Sequence, residues 1–456
     1  MNKASTPKGT RDFLPLEMTR RNYIFDTIKS IFQLYGYQPI ETPAMENMET
    51  LTGKYGEEGD RLLYKILNSG DFTVKLKEKG NLDDLFMNPS LVASEICEKG
   101  LRYDLTVPFA RFVVEHRHEL VFPFKRYQMQ QVWRADRPQK GRYREFVQCD
   151  ADVIGSTSLL NEVELMRIIH EVFARFQIPV KLKINNRKIL AGMAETFGIS
   201  DRFYEFTIAL DKIEKTGLDK VLAELEEKAF PELAIRTIRS LFEFREQHNE
   251  EKLLFMTSII GRSETGLYGI KELKEIMDYA ASLHPPLAFE IDLSLARGLN
   301  YYTGCIFEVS AMGTEMGSLC GGGRYDDLTG VFGLPDVSGV GISFGADRIY
   351  DVLNEMKLFP QSTEKGTKVM IANFGIEEVR HGLFLLETLQ NSGIPAELYP
   401  DAVKMKKQFT YADHKHIPFV LLAGNEEIQA SKYALKNMAT GEQQQLSLED
   451  IISVLK

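Results

Sequence analysis

The chain has 456 residues, 44% hydrophobic and 26% charged, with a formal net charge of −10. That length predicts about two to four domains, and the balance of residues is that of an ordinary soluble globular protein. It excludes a disordered chain, a collagen-like chain and a small scaffold stapled by disulfides.

In chain order, the first strong pattern is apolar spacing at Ile24, Ile28, Ile31, Phe32 and Tyr35, which predicts a helix over 23–35 ended by Gly36. Residues 37–42 read as a strand stopped by Pro43. Residues 70–100 are polar and irregular and read as a surface insertion. From Leu101 the pattern turns to strands. One runs through LRYDLTVPFAR (101–111), and two more over 122–134 and 144–154 are joined by the polar loop ADRPQKGRY. Residues 160–176 have helical period and 180–184 alternate as a strand. Residues 195–280 are rich in Glu, Lys and Leu, nearly free of strand signal, and read as a helical insertion in the larger domain. Strand signals return at 287–293, 305–310 and 339–345, with a helix from 346 to about 356.

The segment PQSTEKG (360–366) reads as a linker, dividing a domain over 1–360 from one over 366–456. Beyond it, strands at 368–374, 395–398 and 419–422 alternate with helices at 377–390 and 402–411, and a helix ends the chain. That alternation predicts a mostly parallel sheet with helical cover. No run approaches the roughly 18 apolar residues of a membrane span. The first residues, MNKASTPKGTRDFLP, lack the apolar core of a signal peptide. Cys97, Cys149, Cys305 and Cys320 lie far apart, which argues against a zinc knuckle or a disulfide framework and for a reducing cytoplasm.

Four segments carry more charge, glycine and aromatic than core strands need. In the first, an alternating strand over 101–111 would put Asp104 and Thr106 on one face, an acid and a hydroxyl suited to an ammonium group. In the second, VWRADRPQKGRYREFVQCDAD (132–152), Arg134, Arg142 and Arg144 can donate in pairs to phosphate oxygens, and Gln148, Asp150 and Asp152 alternate down one strand face. Residues 125–145 hold seven Lys or Arg against Asp136 and Glu145, a basic stretch in an acidic chain that points toward a polyanion. The third, ARGLNYYTGCIFEV (296–309), crowds Arg297, Tyr301 and Tyr302 beside glycines that allow close ligand approach. The fourth joins the glycine run GGGRYDDLTG (321–330) to GVGISFGADRI (339–349). It has neither P-loop nor dinucleotide-fold spacing, but it sets Arg348 just inside a helix start, where a cation needs an anionic partner. Each segment also has a plainer reading, as a solvated strand face, a charged hairpin, an aromatic edge strand or a structural ion pair.

Together, these segments resemble the class II aminoacyl-tRNA synthetases, and among them the histidyl-tRNA synthetase family. KGTRDFLP looks like its N-terminal signature, and the helix, strand and Pro43 are similar to the dimer-forming motif 1. WRADRPQKGRYREF resembles motif 2, GISFGADRI motif 3, and RGLNYYTG the histidine-specific motif. Two departures are mild: Asp136 stands where motif 2 usually has Glu, and Asn300 where the histidine motif often has Asp. The resemblance implies an α+β fold, an antiparallel sheet flanked by helices, with a helical insertion and a C-terminal α/β anticodon-binding domain. It implies activation of L-histidine with ATP and Mg2+, without a protein-bound metal, and transfer to the 3′ end of tRNA(His) by a cytoplasmic homodimer with no membrane association.

Residue by residue, the resemblance gives Asp104 and Thr106, with Leu105 between them, to the histidine α-amino group, with Gln148 beside them. Arg134 would bridge the α-phosphate and the amino-acid carboxylate, and Arg297 would be the catalytic arginine that stands in place of a metal. Asp152 and Tyr302 would read the imidazole with Tyr301 adjacent, Arg348 would hold the γ-phosphate with Arg142 also on ATP, and Arg137 and Gln139 would meet the tRNA acceptor end. The alternative for Asp152 is an ion pair with a nearby arginine such as Arg144. Two rivals share the catalytic fold: a regulatory subunit that does not charge tRNA, and a class II enzyme for another amino acid.

Overall fold

The computed structural model describes residues 4–54, 56–78, 87, 89–244, 248–296, 301–364 and 366–456. The chain divides into two compact units, Met1–Phe359 and Pro360–Lys456.

In the first unit the strands are β1 (Gln38–Pro39), β2 (Met45–Asn47), β3 (Lys65–Ile66), β4 (Lys99–Leu101), β5 (Phe124–Trp133), β6 (Glu145–Ile154), β7 (Val180–Asn186), β8 (Glu290–Ile291), β9 (Cys305–Ala311), β10 (Cys320–Tyr325) and β11 (Gly339–Gly345). Eight of them form one sheet in the order β1-β5-β6-β11-β10-β9-β7-β8, and β2-β4-β3 form a separate small sheet. In the large sheet β1 with β5 and β7 with β8 pair parallel, and the other neighbours pair antiparallel. Period-two alternation gives this sheet two unlike faces. Cys149, Ala151 and Val153 of β6 and Val340, Ile342 and Phe344 of β11 turn toward one face, into a core shared with Ile24, Ile28, Phe32, Val172 and Phe173. The opposite face carries Gln148, Asp150 and Asp152, in register with Gly345, Ser343 and Gly341.

Two local readings change, and a segment left without an element gains one. The first helix runs Pro15–Leu34, starting well before residue 23. Pro15 suits the first helical position, and Glu17 accepts from the Leu14 N–H at 2.7 Å. Its early turns bury Arg21 against Asp347, an ion pair that apolar periodicity cannot reveal. The strand read over 101–111 is instead a turn followed by the helix Thr106–Glu115. Asp104 Oδ1 accepts from the Val107 N–H at 3.1 Å, supplying a partner to that helix start. The glycine run at 321–323 is strand β10, paired on both sides. Its glycines are required by close packing: a Cβ on Gly322 would stand 2.1 Å from the Gly341 carbonyl oxygen.

Between β7 and β8 lie the helices Arg187–Phe197, Phe203–Thr216, Leu218–Glu227, Glu232–Glu243, Asn249–Ile260 and Glu264–Ala281. Their buried Phe206, Leu210, Leu222, Leu225, Ile238 and Met256 join the same core as the sheet. Of residues 70–100, Val74–Glu78 and Pro89–Ile96 are helical, and Lys99–Leu101 is strand β4.

The second unit holds β12 (Val369–Ile371), β13 (Ala396–Leu398), β14 (Phe419–Leu422), β15 (Tyr433–Asn437) and β16 (Gln443–Leu446), ordered β13-β12-β14-β15-β16. The first three are parallel, and β15 and β16 add on antiparallel. Sequence pattern missed β15 and β16: Gln443–Leu446 is mostly exposed and polar, so no apolar alternation marks it, and Tyr433–Asn437 has only three buried residues in a row. No helix among the described residues is long and apolar enough to cross a membrane.

Candidate active site

The polar face of the sheet opens at one end into a cavity of about 530 Å3. Arg134, Arg142 and Arg348 all line it, with Gln139, Gln148, Ser343 and the glycines Gly321 and Gly345. Arg134 follows the end of β5. Its Nε donates to the Tyr103 carbonyl at 3.0 Å, and its guanidinium lies 4.2 Å from the Tyr103 ring centroid and 5.2 Å from that of Phe146. Its Nη2 also reaches Gln148 Oε1 at 3.5 Å, so two aromatic faces and two acceptors orient a planar cation at the cavity wall. Arg142 Nη2 donates to Asp136 Oδ1 at 2.8 Å within the loop joining β5 to β6. Arg348 crosses from the helix Ala346–Glu355, and donates from Nε to the Gly141 carbonyl at 2.8 Å and from Nη1 to the Ser318 carbonyl at 2.7 Å.

The loop is braced from outside. Gln139 and Arg142 exchange backbone hydrogen bonds of 3.1 and 2.9 Å, closing a tight hairpin. The Arg144 N–H donates to the Gly9 carbonyl at 2.9 Å. Arg11 stacks 3.4 Å over the Tyr143 ring centroid and reaches Asp347 Oδ1 at 2.5 Å. The N-terminal KGTRDF stretch therefore ties the loop to the helix that carries Arg348. Arg137 is exposed and does not line the cavity, whereas Gln139 does.

Deeper along the same face the charge reverses. Asp104, Asp150 and Asp152 are all buried. Asp104 Oδ2 accepts from the Tyr301 hydroxyl at 3.3 Å, and Asp152 Oδ1 accepts from the Tyr325 hydroxyl at 2.7 Å. Asp152 Oδ2 meets Arg126 Nη2 at 2.8 Å, from the residue directly opposite on β5. The arginine beside Asp152 is thus Arg126 and not Arg144, whose Nε instead donates to the Asp136 carbonyl at 2.9 Å. Arg126 is fully buried and lies 4.3 Å from the Phe109 ring centroid. Gln148 Nε2 donates to Ser343 Oγ at 2.6 Å. Leu105 is buried, Thr106 half-buried at the start of its helix, and Tyr301 and Tyr302 pack edge to face with ring centroids 4.9 Å apart. Arg297 lies outside the described residues.

Burial pushes the Asp150 carboxyl up to about 7, against the pull of Arg126 and with the further push of Asp152. Burial likewise raises Asp152, countered by Arg126 and the Tyr325 hydroxyl, and raises the Tyr302 phenol. Apart from the Asp152–Arg126 ion pair, several polar atoms here have no hydrogen-bond partner among the described residues: Gln128 Oε1, Asp150 Oδ1, and Nε and Nη1 of Arg126. Such a concentration at one place on the sheet marks a floor shaped for a polar ligand or ordered water. Glycine keeps that floor open: a Cβ on Gly341 would sit 2.0 Å from Asp152 Oδ1, and one on Gly323 2.9 Å from the Tyr302 ring. Sequence reading missed Arg126 and Tyr325. The available signal for Arg126 was a cation sharing a strand face with Phe124, Gln128, Gln130 and Val132, opposite the acidic alternation of β6.

The arrangement has an anion-binding end, with three arginines, and a cation-binding end, with three carboxylates. It suits a ligand pair in which a polyphosphate meets a small molecule bearing both a carboxylate and basic nitrogens.

Comparison with known proteins adds to this geometry. Residues 9–74 and 98–349 match the family model described as histidyl-tRNA synthetase, and 368–456 match that described as anticodon binding domain. The chain is 54% identical to the histidine–tRNA ligase of Phocaeicola vulgatus, covering 100% of this chain and 99% of that one. It is 55% identical to the histidine–tRNA ligase of Bacteroides fragilis over 99% of each. The crystal structure of histidyl-tRNA synthetase from Nostoc sp. PCC 7120 superposes with a TM-score of 0.81 at 31% identity, covering 100% of this chain and 99% of that one.

Proposed function

The chain belongs to the histidyl-tRNA synthetase family, and we propose that it is an aminoacyl-tRNA ligase whose cavity activates L-histidine with ATP and passes the histidyl group to the 3′ end of tRNA(His). The observation that carries this reading is the convergence of Arg134, Arg142 and Arg348 on one cavity beside the buried carboxylates Asp104, Asp150 and Asp152. The histidine carboxylate attacks the α-phosphorus, and pyrophosphate leaves. The 3′-terminal ribose hydroxyl then attacks the acyl carbon, and AMP leaves. Neither step needs a covalent protein nucleophile; both need alignment and neutralised charge.

In this reading Arg134 bridges the α-phosphate and the histidine carboxylate, its orientation set by Tyr103 and Phe146. Arg142 and Arg348 take the outer phosphates. Asp104, with Leu105 and Thr106, receives the α-amino group near Gln148, and Asp152 with Tyr302 and Tyr301 reads the imidazole. Arg137 and Gln139 meet the acceptor end from the loop. Arg297 keeps the role of the catalytic arginine on the strength of the motif RGLNYYTG. The carboxylates that line the cavity, Asp136 and Asp347, are each held by arginine, so Mg2+ would ride on the phosphates and not on a protein carboxylate. We read the larger unit as catalytic, with residues 195–280 as its insertion, and 366–456 as the anticodon-binding domain, in a cytoplasmic homodimer. Histidine-dependent ATP–pyrophosphate exchange followed by histidyl transfer to tRNA(His) tests the activity. Exchange driven equally by another amino acid, or exchange without transfer, would end this reading. Sedimentation at micromolar concentration tests the dimer.

A further inference from the structure

Of the three floor carboxylates, Asp104 and Asp152 are given to histidine and Asp150 is left over. It is 1% exposed, yet it is bonded to no cation: the nearby Arg126 pairs with Asp152, and Asp150 Oδ1 has no hydrogen-bond partner among the described residues. Its described partner is the Ser343 hydroxyl, from the residue directly opposite on β11. A buried carboxylate with one neutral hydroxyl for company is a poor device for stability, since an unpaired charge there is costly.

From Asp150 a row of hydrogen bonds runs to the anion-binding end of the cavity. Arg134 can only donate, and its Nη2 reaches Gln148 Oε1 at 3.5 Å. Gln148 therefore turns its amide nitrogen the other way, and Nε2 donates to Ser343 Oγ at 2.6 Å. The Ser343 hydroxyl has one proton, and with Oγ accepting from Gln148 that proton goes to Asp150. Asp150 is the member whose role depends on its charge. Ionised, it accepts, and every bond in the row has one donor and one acceptor. Protonated, it can donate to Ser343 Oγ, which frees the serine proton to point at Gln148. An amide flipped to receive that proton would present NH2 to Arg134 and to an incoming ammonium group, donors facing donors.

We propose that Asp150 is a positioning residue for histidine binding: acting through Ser343, its carboxylate holds Gln148 with Oε1 toward Arg134 and the α-amino group of the bound histidine. This rests on the ligase reading above and adds to it a residue that touches neither substrate. The groups facing Asp150 are Arg126 from β5, Asp152 on its own strand, Asp104 from the turn before the helix Thr106–Glu115, Tyr302, and Cys320 from β10. Burial pushes the Tyr302 phenol and the Cys320 thiol up, so both stay neutral near pH 7. Burial, with Asp152 and Asp104, holds the Asp150 carboxyl up at about 7 against Arg126 and Ser343. Wild type thus carries the neutral form below that pH, where it resembles an amide, and the orienting carboxylate above it. Asp104, Asp152 and the substrate imidazole are common to wild type and an Asp150 variant, so the ratio of their affinities isolates Asp150.

The test is calorimetric titration of L-histidine into the full-length protein, without ATP, at about pH 6 and about pH 8. Asp150→Asn keeps the shape. It is expected to bind histidine like wild type at the lower pH and about 10-fold more weakly at the higher, as for loss of one charged hydrogen bond. Ser343→Ala cuts the row in its middle and should match Asp150→Asn at the higher pH. Adding Asp150→Asn to Ser343→Ala should then cost nothing more. A ratio of wild-type to Asp150→Asn affinity that stays constant with pH, as for a purely structural role, overturns the proposal. Additive losses in the double variant also overturn it, by putting Asp150 in direct contact with histidine. A wild-type protein that binds no histidine ends the ligase reading and this proposal with it, whereas either of the other failures, in a protein that binds histidine, ends this proposal alone.

Discussion

Asp152 is held at both oxygens, by Tyr325 and by Arg126, so its substitution reports on recognition and on stability together. Truncation to alanine would strand a fully buried guanidinium, which typically costs about 3–5 kcal/mol. Asp152→Asn keeps the shape and the Tyr325 contact. It is expected to lower the melting temperature by several degrees and raise the histidine KM about 10-fold or more, with the ATP KM within about two-fold, because the proposal gives the phosphates to Arg134, Arg142 and Arg348. An unchanged histidine KM would leave Asp152 a purely structural partner of Arg126. Asp150 gives a pH prediction. Its folded carboxyl titrates at about 7, above the ordinary value of 3.8, so the folded state holds its proton more tightly than the unfolded chain. Its contribution to stability is therefore full below about pH 4 and is lost as pH rises through about 7. Asp150→Asn removes that loss, and its stability relative to wild type should climb between pH 4 and 7 and then level off. Urea denaturation of both proteins across that range checks the sign.

At the scale of elements, the site depends on how tightly β10 lies against β11. Gly322 on β10 faces the opposite side from the substrate floor, yet a Cβ there would approach the Gly341 carbonyl to 2.1 Å and the Ile342 Cα to 2.8 Å. Both are backbone atoms, so the strands themselves would have to separate. Gly322→Ala is expected to cost about 3 kcal/mol or more of stability, and to depress exchange in whatever fraction remains folded, since Ser343 and Gly341 would shift with β11. A variant that melts and exchanges like wild type would show that this pair of strands has slack. Its partner elements explain why one reading changed and one segment gained a strand. The strand pattern of 101–111 and the glycine run of 321–323 are each locally ambiguous. Pairing decided them: β10 has neighbours on both edges, whereas Thr106–Glu115 has a buried helical face of Val107, Phe109, Ala110 and Val113.

At the scale of the whole molecule, each unit has its own core: Val369, Ile371, Leu385, Leu421 and Ile451 cluster within the second, separate from the large cluster of the first. A chain ending near Pro360 should therefore fold. It is expected to keep histidine-dependent exchange within a few-fold while losing most tRNA charging at low tRNA concentration, since a separate anticodon contact would be gone. Charging equal to that of the full chain under those conditions would remove the anticodon role from residues 366–456.

Much of this protein could be read along the chain, because it is written in short-range patterns. The period of Leu160–Phe176, the alternation of Glu145–Ile154 and of Gly339–Gly345, and the strand–helix rhythm after residue 366 each involve residues a few positions apart. The arginines 134, 142 and 348 were legible for the same reason, as cations in polar or glycine-rich company. What the sequence left open were choices between partners distant in the chain. Asp152 had several arginines to choose from, and strand register selected Arg126; Arg21 had no visible reason to be buried until Asp347 came across from another helix. Local spacing constrains which face a side chain occupies, but a buried charge is settled by whichever opposite charge the fold brings within about 3 Å, and only the tertiary structure makes that choice.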